Sequence, residues 1–306
     1  WFQEFWLHRA GSSENPSLLR DADRWYDSAR VAHDTRWNLS LPDVQATLRY
    51  GDEVLARTQA LLREGPLQDE RAYFAQLALF HQDMHNEAFC YMWQTLGYAM
   101  PVAWKASAAA PAGDIAFAAC VHKLGAGRRS GFVFDNEKWA HEVTVPAFAI
   151  SRGAVSNGEF LAFVDAGGYV RRELWSADGW AMREALGLNY PRYWRRKGGA
   201  RDWQLRRFDR WLSLTEHEPV MHVSAHEAEA YCRWAGRRLP IESEWECIAQ
   251  SGNERFDYGR AWEWTASRFD PYPGFGRDPY KEYSEPWFGS HKVLRGGSFA
   301  APARLL

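Results

Sequence analysis

The chain has 306 residues, enough for about two domains, and its 37 Lys and Arg against 39 Asp and Glu give a formal net charge of −2. That balance excludes a nucleic-acid or anionic-membrane partner held by bulk charge. With no run of about 18 apolar residues, it also offers no transmembrane helix. Aromatic content is high, with 17 Trp, 13 Tyr and 17 Phe. Tryptophan is hard to bury completely and its N–H needs a partner, so aromatic-walled pockets are expected beside an aromatic core. The four cysteines, Cys90, Cys120, Cys232 and Cys247, show no CxxC spacing. Zinc ribbons and redox pairs are disfavoured, and reduced thiols in a cytoplasmic setting are the simplest expectation. The sequence begins at Trp1 inside a helix-like pattern and stops at Leu306 after a strand-like run, so residues are expected to be missing at both ends.

Residues 1–105 read as helical. Trp1, Phe2, Phe5 and Trp6 form one apolar stripe. A second pattern carries Val44, Leu48, Val54, Leu55 and Leu61 behind a Ser40 or Asp43 cap and breaks at Gly65-Pro66. A long helix is expected from Asp69 to Leu96, with Phe74, Leu77, Ala78, His81, His85, Ala88 and Met92 on one face and Gly97 as its stop. Long helices joined by polar loops predict a bundle. Residues 106–128, with Ala-rich Ala106 to Gly113, read as a linker. Residues 129–306 predict a loop-dominated α+β domain. It has a strand-like run from Glu142 to Ile150, a helix opened by a capping box at Ser224 and ended by Gly236, and a second helix from Glu242 to Ala249.

The strongest chemical signal is His81-Gln82-Asp83-Met84-His85-Asn86-Glu87. Histidines at i and i+4 share a helix face and can bind one metal. Because the pair lies on the apolar stripe, it is expected to point into the bundle. Two inward imidazoles need a metal or carboxylate partners, and the pair favours the metal. Glu87 lies roughly 200° around the helix from His85 and should support the ligands rather than join them. His8 reads as a helix-surface histidine. His217, His222 and His226 lack ligand spacing.

The HxxxHxE helix is followed by Phe134-Asp135-Asn136-Glu137, Ser156-Asn157-Gly158-Glu159-Phe160 and Arg238-Leu239-Pro240-Ile241-Glu242-Ser243-Glu244-Trp245-Glu246. Later come Trp262-Glu263-Trp264-Thr265-Ala266-Ser267, Tyr272-Pro273-Gly274-Phe275 and Leu294-Arg295-Gly296-Gly297-Ser298. Together these resemble the ergothioneine-type sulfoxide synthases and their selenoneine synthase relatives, over nearly the whole chain. The resemblance implies a DinB-like four-helix bundle followed by a C-type-lectin-like domain of the formylglycine-generating (sulfatase-modifying factor) kind. It implies one non-haem Fe(II) held by three histidines, and use of O2 to join sulfur or selenium to the imidazole C2 of hercynine. His81 and His85 match two ligands; the third is expected upstream of Trp1. Tyr280 matches the tyrosine that delivers a proton or hydrogen atom in the oxygen chemistry, and Tyr283 a substrate-lining position. Iron suits this chemistry where zinc, without redox states, does not. The trimethylammonium group of hercynine would give part of the aromatic excess a use, through cation–π contacts.

Two departures bear on the donor. Enzymes using γ-glutamylcysteine carry Arg-x-x-Arg, which holds the donor's carboxylates, where this chain has His33-Asp34-Thr35-Arg36. They can also carry Gln where Met84 precedes the second helix histidine, near hercynine. Loss of one guanidinium suggests a donor without that carboxylate pair. The stretch from Asp21 to Arg36 is similar to selenoneine synthases, which use a neutral selenosugar. The expected partners are therefore hercynine, O2 and a selenosugar, with γ-glutamylcysteine or cysteine as the alternative donor. Less favoured are a formylglycine-type oxidase, since Cys232 and Cys247 both read as core, and a non-catalytic lectin-like module. No motif fixes an oligomeric state.

Overall fold

The computed structural model describes residues 1–67, 69–101, 109, 111–199 and 202–305. The chain divides into two compact units, Trp1–His85 and Asn86–Leu306.

The first unit opens with a π-helical turn, Glu4–His8, followed by the short helix α1 (Ala22–Tyr26) and a 3-10 turn, His33–Asn38. The long helix α2 (Val44–Arg63) comes next. It starts where the Asp43 carboxylate accepts the Ala46 N–H at 2.7 Å, which satisfies one of the orphan donors of a helix start. The unit ends within α3 (Asp69–Leu96). Two long helices and short turns thus stand where a four-helix bundle is expected. The aromatic stripe at the N-terminus is wound as a wide turn, closed by the Gly11 N–H on the Phe5 carbonyl at 2.8 Å. Glu4 is the reason: its 2%-exposed carboxylate accepts from Ser17 Oγ (2.6 Å), the Leu18 N–H (2.6 Å) and Tyr50 Oη (2.5 Å). Beside it, Arg9 forms a two-pronged ion pair with Asp23 at 2.7 Å, and Trp1 Nε1 donates to the same carboxylate at 2.6 Å.

In the second unit, β1 (Asp114–Phe117) pairs antiparallel with β4 (Phe148–Ser151), and β2 (Cys120–Leu124) with β3 (His141–Val145). The strands β5 (Trp194–Arg196), β6 (Trp203–Arg207) and β7 (Arg210–Ser213) make a meander, and β8 (Trp262–Arg268) pairs with β9 (Lys292–Gly296). Among the described residues, four helices accompany them: α4 (Asn157–Asp165), α5 (Ala177–Leu186), α6 (Ala225–Trp234) and α7 (Glu242–Gln250). Capping boxes at Ser156 and Ser224 start α4 and α6. Phe160, Phe163, Tyr169, Trp175, Trp194, Trp203 and Tyr231 form the main core.

Three expectations change. Much of the expected linker, 106–128, is strand: Ile115 and Leu124 are buried, and β1 and β2 take up their backbone groups in two ladders. Within its Ala-rich part, residues 106–108 and 110 lie outside the described residues. The unit boundary falls at His85/Asn86 rather than near 105, because the C-terminal part of α3 is bonded into the second unit. Gln94 donates to the Arg206 carbonyl at 3.0 Å and accepts the Phe208 N–H at 2.6 Å. The single strand expected over 142–150 is split in two, since Pro146 has no N–H to give a ladder.

At the centre of the second unit lies Arg295, on β9. Its guanidinium meets Glu242 Oε1 at 2.5 Å, Glu246 Oε2 at 3.1 Å and Glu137 Oε2 at 3.2 Å, and reaches Tyr272 Oη at 3.0 Å. Burial alone would lower its pKa, but the carboxylates outweigh burial and hold it firmly protonated. Replacing it leaves buried carboxylates without their cation. Arg295→Gln should therefore cost roughly 3–5 kcal/mol, read as a fall in the urea midpoint of unfolding at pH 7. A loss below about 1 kcal/mol would mean the network is not structural.

Candidate metal centre and tyrosine loop

On α3, the rings of His81 and His85 lie 4.5 Å apart at 78°. Phe2 stacks flat on His81, 3.7 Å between centroids and 7° between planes. One and two turns below, Leu77 and Phe74 are buried, and Trp6 stacks on Phe74 at 5.1 Å. Burial holds His81 at a pKa of about 3, with His85 adding repulsion. Partial burial also lowers His85. Both rings are thus neutral imidazoles at ordinary pH, the form that binds a metal. The pair does not point wholly inward: His81 is half-buried and His85 exposed, and further along the stripe Met92 is exposed. The apolar face buries its N-terminal half and runs out beyond His81. Among the described residues, no group of three or more His, Cys, Asp and Glu could hold a metal. The two adjacent neutral imidazoles fit a first-row metal that completes its shell elsewhere.

The other histidines are used differently. His8 is half-buried rather than on the surface, with Nε2 2.7 Å from Thr58 Oγ1 on α2. His222 is kept neutral, at a pKa of about 4, by burial and then by Arg206, Arg192 and Arg207, and it packs edge-on to Tyr193. His226 Nδ1 lies 3.4 Å from Ser176 Oγ.

His33 and Arg36 sit in the 3-10 turn, both exposed. Arg36 donates to the Ser28 carbonyl at 3.3 Å. Met84 is half-buried on α3. The sequence reading missed Glu4 and the Arg9–Asp23 pair, whose partners lie up to 46 residues away. A charged residue inside an aromatic stripe was the available signal for Glu4.

In the second unit, Glu87 is tied to two side chains of that unit. Its Oε1 accepts from Trp262 Nε1 at 2.7 Å and from Ser298 Oγ at 2.5 Å. These residues border a cavity of about 1160 Å³ that Arg206, His222 and Glu263 also line. The Glu263 carboxylate accepts from Trp245 Nε1 at 3.1 Å. Burial pushes its pKa up to about 7, with the Trp245 bond opposing and Asp257 adding.

Tyr280 and Tyr283 share a loop, with ring centroids 6.0 Å apart. Tyr283 stacks on Phe134 at 4.1 Å. Burial raises both phenols; Glu282 adds at Tyr280, and Glu137 and Asp135 add at Tyr283. Both therefore keep their protons. Cys120 Sγ and Cys247 Sγ are 3.3 Å apart as thiols, a proximity that sequence spacing did not show.

Residues 110–261 match the family described as the sulfatase-modifying factor enzyme 1-like domain. Over 99% of its length the chain is 32% identical to the hercynine oxygenase of Mycolicibacterium smegmatis and 33% identical to that of Mycobacterium tuberculosis, covering 82% of each. The formylglycine-generating enzyme of Streptomyces coelicolor is 27% identical over 55% of this chain and 73% of that enzyme.

Two measurements check this site. His81→Ala and His85→Ala should each weaken anaerobic Fe(II) or Co(II) binding by at least about 100-fold in equilibrium dialysis; unchanged affinity would remove the pair as ligands. Glu263 has a folded pKa above its unfolded value. It therefore favours folding below the unfolded value of 4.5, and that contribution is lost as pH rises towards and through about 7. Glu263→Gln should flatten the decline of the thermal midpoint between pH 5 and 8, recovering on the order of 3 kcal/mol at pH 8. A wild-type profile as flat as the variant's would contradict it.

Proposed function

Since the chain belongs to the hercynine oxygenase family and is an oxygenase, we propose that it uses iron(II) and O2 to form a carbon–selenium bond at the imidazole C2 of hercynine, with a selenosugar as donor. The observation that carries the first half is similarity to hercynine oxygenases over 99% of the chain, together with the paired neutral imidazoles of His81 and His85. Those two side chains would hold the metal. Iron bound there supplies the one-electron chemistry that O2 needs.

The chain's own groups do the rest. Tyr280 keeps a proton on Oη at neutral pH because burial and Glu282 disfavour its phenolate, so it is equipped to donate. Tyr283, fixed by its stack on Phe134, presents a second phenol beside it. Glu87 holds Trp262 by its indole N–H and leaves the ring as a wall.

The donor reading rests on the turn His33–Asn38. γ-Glutamylcysteine brings two carboxylates, which are best met by two guanidinium forks. Here the turn carries a single arginine, Arg36, with His33 at the other position and the acidic Asp34 between them. A neutral, polyhydroxylated donor is not penalised by that exchange. The second reading keeps the same chemistry with γ-glutamylcysteine or cysteine, which gives sulfur at C2. Formylglycine-type oxidation is disfavoured, because burial raises the Cys232 pKa to about 11 and burial plus Cys120 raise that of Cys247 to about 12. Such thiols are poor nucleophiles.

Incubation with hercynine, Fe(II), O2 and one donor at a time, followed by mass spectrometry, tests the proposal. The selenosugar should give the C2 product with a kcat/KM at least about tenfold above either thiol, a difference of roughly 1.4 kcal/mol. The reverse ranking would assign the enzyme to sulfur. Tyr280→Phe should divert turnover from bond formation to simple oxidation of the donor; an unchanged rate and product ratio would remove its role.

A further inference from the structure

The loop that carries Tyr280 and Tyr283 has little regular structure, yet its two ends meet one buried acceptor. Asp135 is 1% exposed and Ser284 fully buried. The Ser284 hydroxyl donates to Asp135 Oδ1 through a very short hydrogen bond, and the Asp278 N–H donates to Asp135 Oδ2 at 3.3 Å. Lys138, three residues after Asp135, pairs with the Asp278 carboxylate at 2.6 Å. Phe134, one residue before it, stacks on Tyr283. Between the two fastenings, the Tyr283 N–H closes a turn on the Tyr280 carbonyl at 3.1 Å. We propose that Asp135 is the positioning residue of this loop: one carboxylate, with an oxygen for each end, fixes the segment Asp278 to Ser284 and thereby sets where the two phenols stand. The inference rests on the role given above to Tyr280.

The chemistry requires an acceptor at both places. A backbone N–H can only donate, and the Ser284 hydroxyl donates to the carboxylate. Alanine at 135 removes both fastenings and leaves the Asp278 N–H and the Ser284 hydroxyl without this partner. Asparagine can restore both, its carbonyl accepting from the Asp278 N–H and its amide donating to Ser284 Oγ. The Ala and Asn variants should therefore separate, which a role based on bulk charge would not produce.

Two readouts decide it. Lys281 lies within the loop and its side chain is 62% exposed. Asp135→Ala should raise the rate of trypsin cleavage after Lys281 by about tenfold, through local opening of the loop, with Asp135→Asn close to the parent. In turnover, Asp135→Ala should shift the product ratio towards donor oxidation as Tyr280→Phe does, with metal affinity unchanged, and should add nothing when combined with Tyr280→Phe. If Asp135→Ala does not fold, Ser284→Ala, which frees one end, carries the same two tests with smaller expected effects. Parent-like cleavage and parent-like product ratio in the alanine variant overturn the inference, as does faster cleavage with an unchanged product ratio. If Tyr280→Phe itself leaves the product ratio unchanged, the role of Tyr280 fails, and cleavage alone then judges the clamp.

Discussion

The buried guanidinium of Arg295 organises the second unit, because three carboxylates from two separate stretches of chain converge on it. Glu242 and Glu246 bring α7. Glu246 also accepts the Gly125 N–H at 2.8 Å and meets His122 at 3.2 Å, which brings the end of β2. Glu137 brings the 3-10 turn that begins at Asp135, and with it the support of the tyrosine loop. The approach is close enough to dictate residue type nearby. A Cβ on Gly125, at φ 94°, would lie 2.8 Å from the Tyr272 ring, and one on Gly296, at φ 106°, 2.8 Å from the Ala261 carbonyl. Such a cluster is weak evidence for net stability, since desolvation offsets most of the attraction. What it does supply is registration: each carboxylate must find the same cation, so the segments carrying them cannot slide independently.

Burial also sets protonation in both units. In the first it strips the proton from His81 and leaves a neutral donor nitrogen. In the second it keeps protons on Tyr280 and Tyr283. Removing water disfavours whichever form is charged, so one physical cause yields a neutral imidazole in one place and a proton-holding phenol in another. Glu4 shows the contrary case. Burial would raise its pKa, but the Leu18 N–H and the Ser17 and Tyr50 hydroxyls together lower it, so it stays a carboxylate and can fasten the N-terminal turn to α2.

What the sequence made legible was local. The spans of α2 and α3, the Asp43 cap, the capping box at Ser224 and the stop at Gly236 all follow from signals within a few residues. So does the adjacency of His81 and His85, one helical turn apart. What it hid was long-range or short-strand. Arg295 finds Glu137 across 158 positions and Asp135 finds Ser284 across 149, and no periodicity predicts either. The strands β1 and β2 have four and five residues, and an Ala-rich approach masked them as linker. The exposure of His85 was missed because the 3.6-residue pattern gives the face and not how far along the helix that face is covered.

The aromatic excess divides by what covers each ring. Trp175, Trp194 and Trp203 are core, while Trp104 lies outside the described residues. Several other faces are taken by the chain's own cations: Arg195 stands 4.0 Å from the Trp211 centroid, Arg206 4.6 Å from Tyr193, and Arg172 and Arg183 both stand over Trp180. A guanidinium stacked on a ring satisfies the same quadrupole that a trimethylammonium group would use. Rings so covered cannot also serve as a cage without displacing an arginine. Part of the composition bias is therefore spent on internal arginine–aromatic stacking. Trp262 is held differently, its N–H tied to Glu87 at the cavity rim. There a carboxylate beside an aromatic wall would favour a cation for two independent reasons.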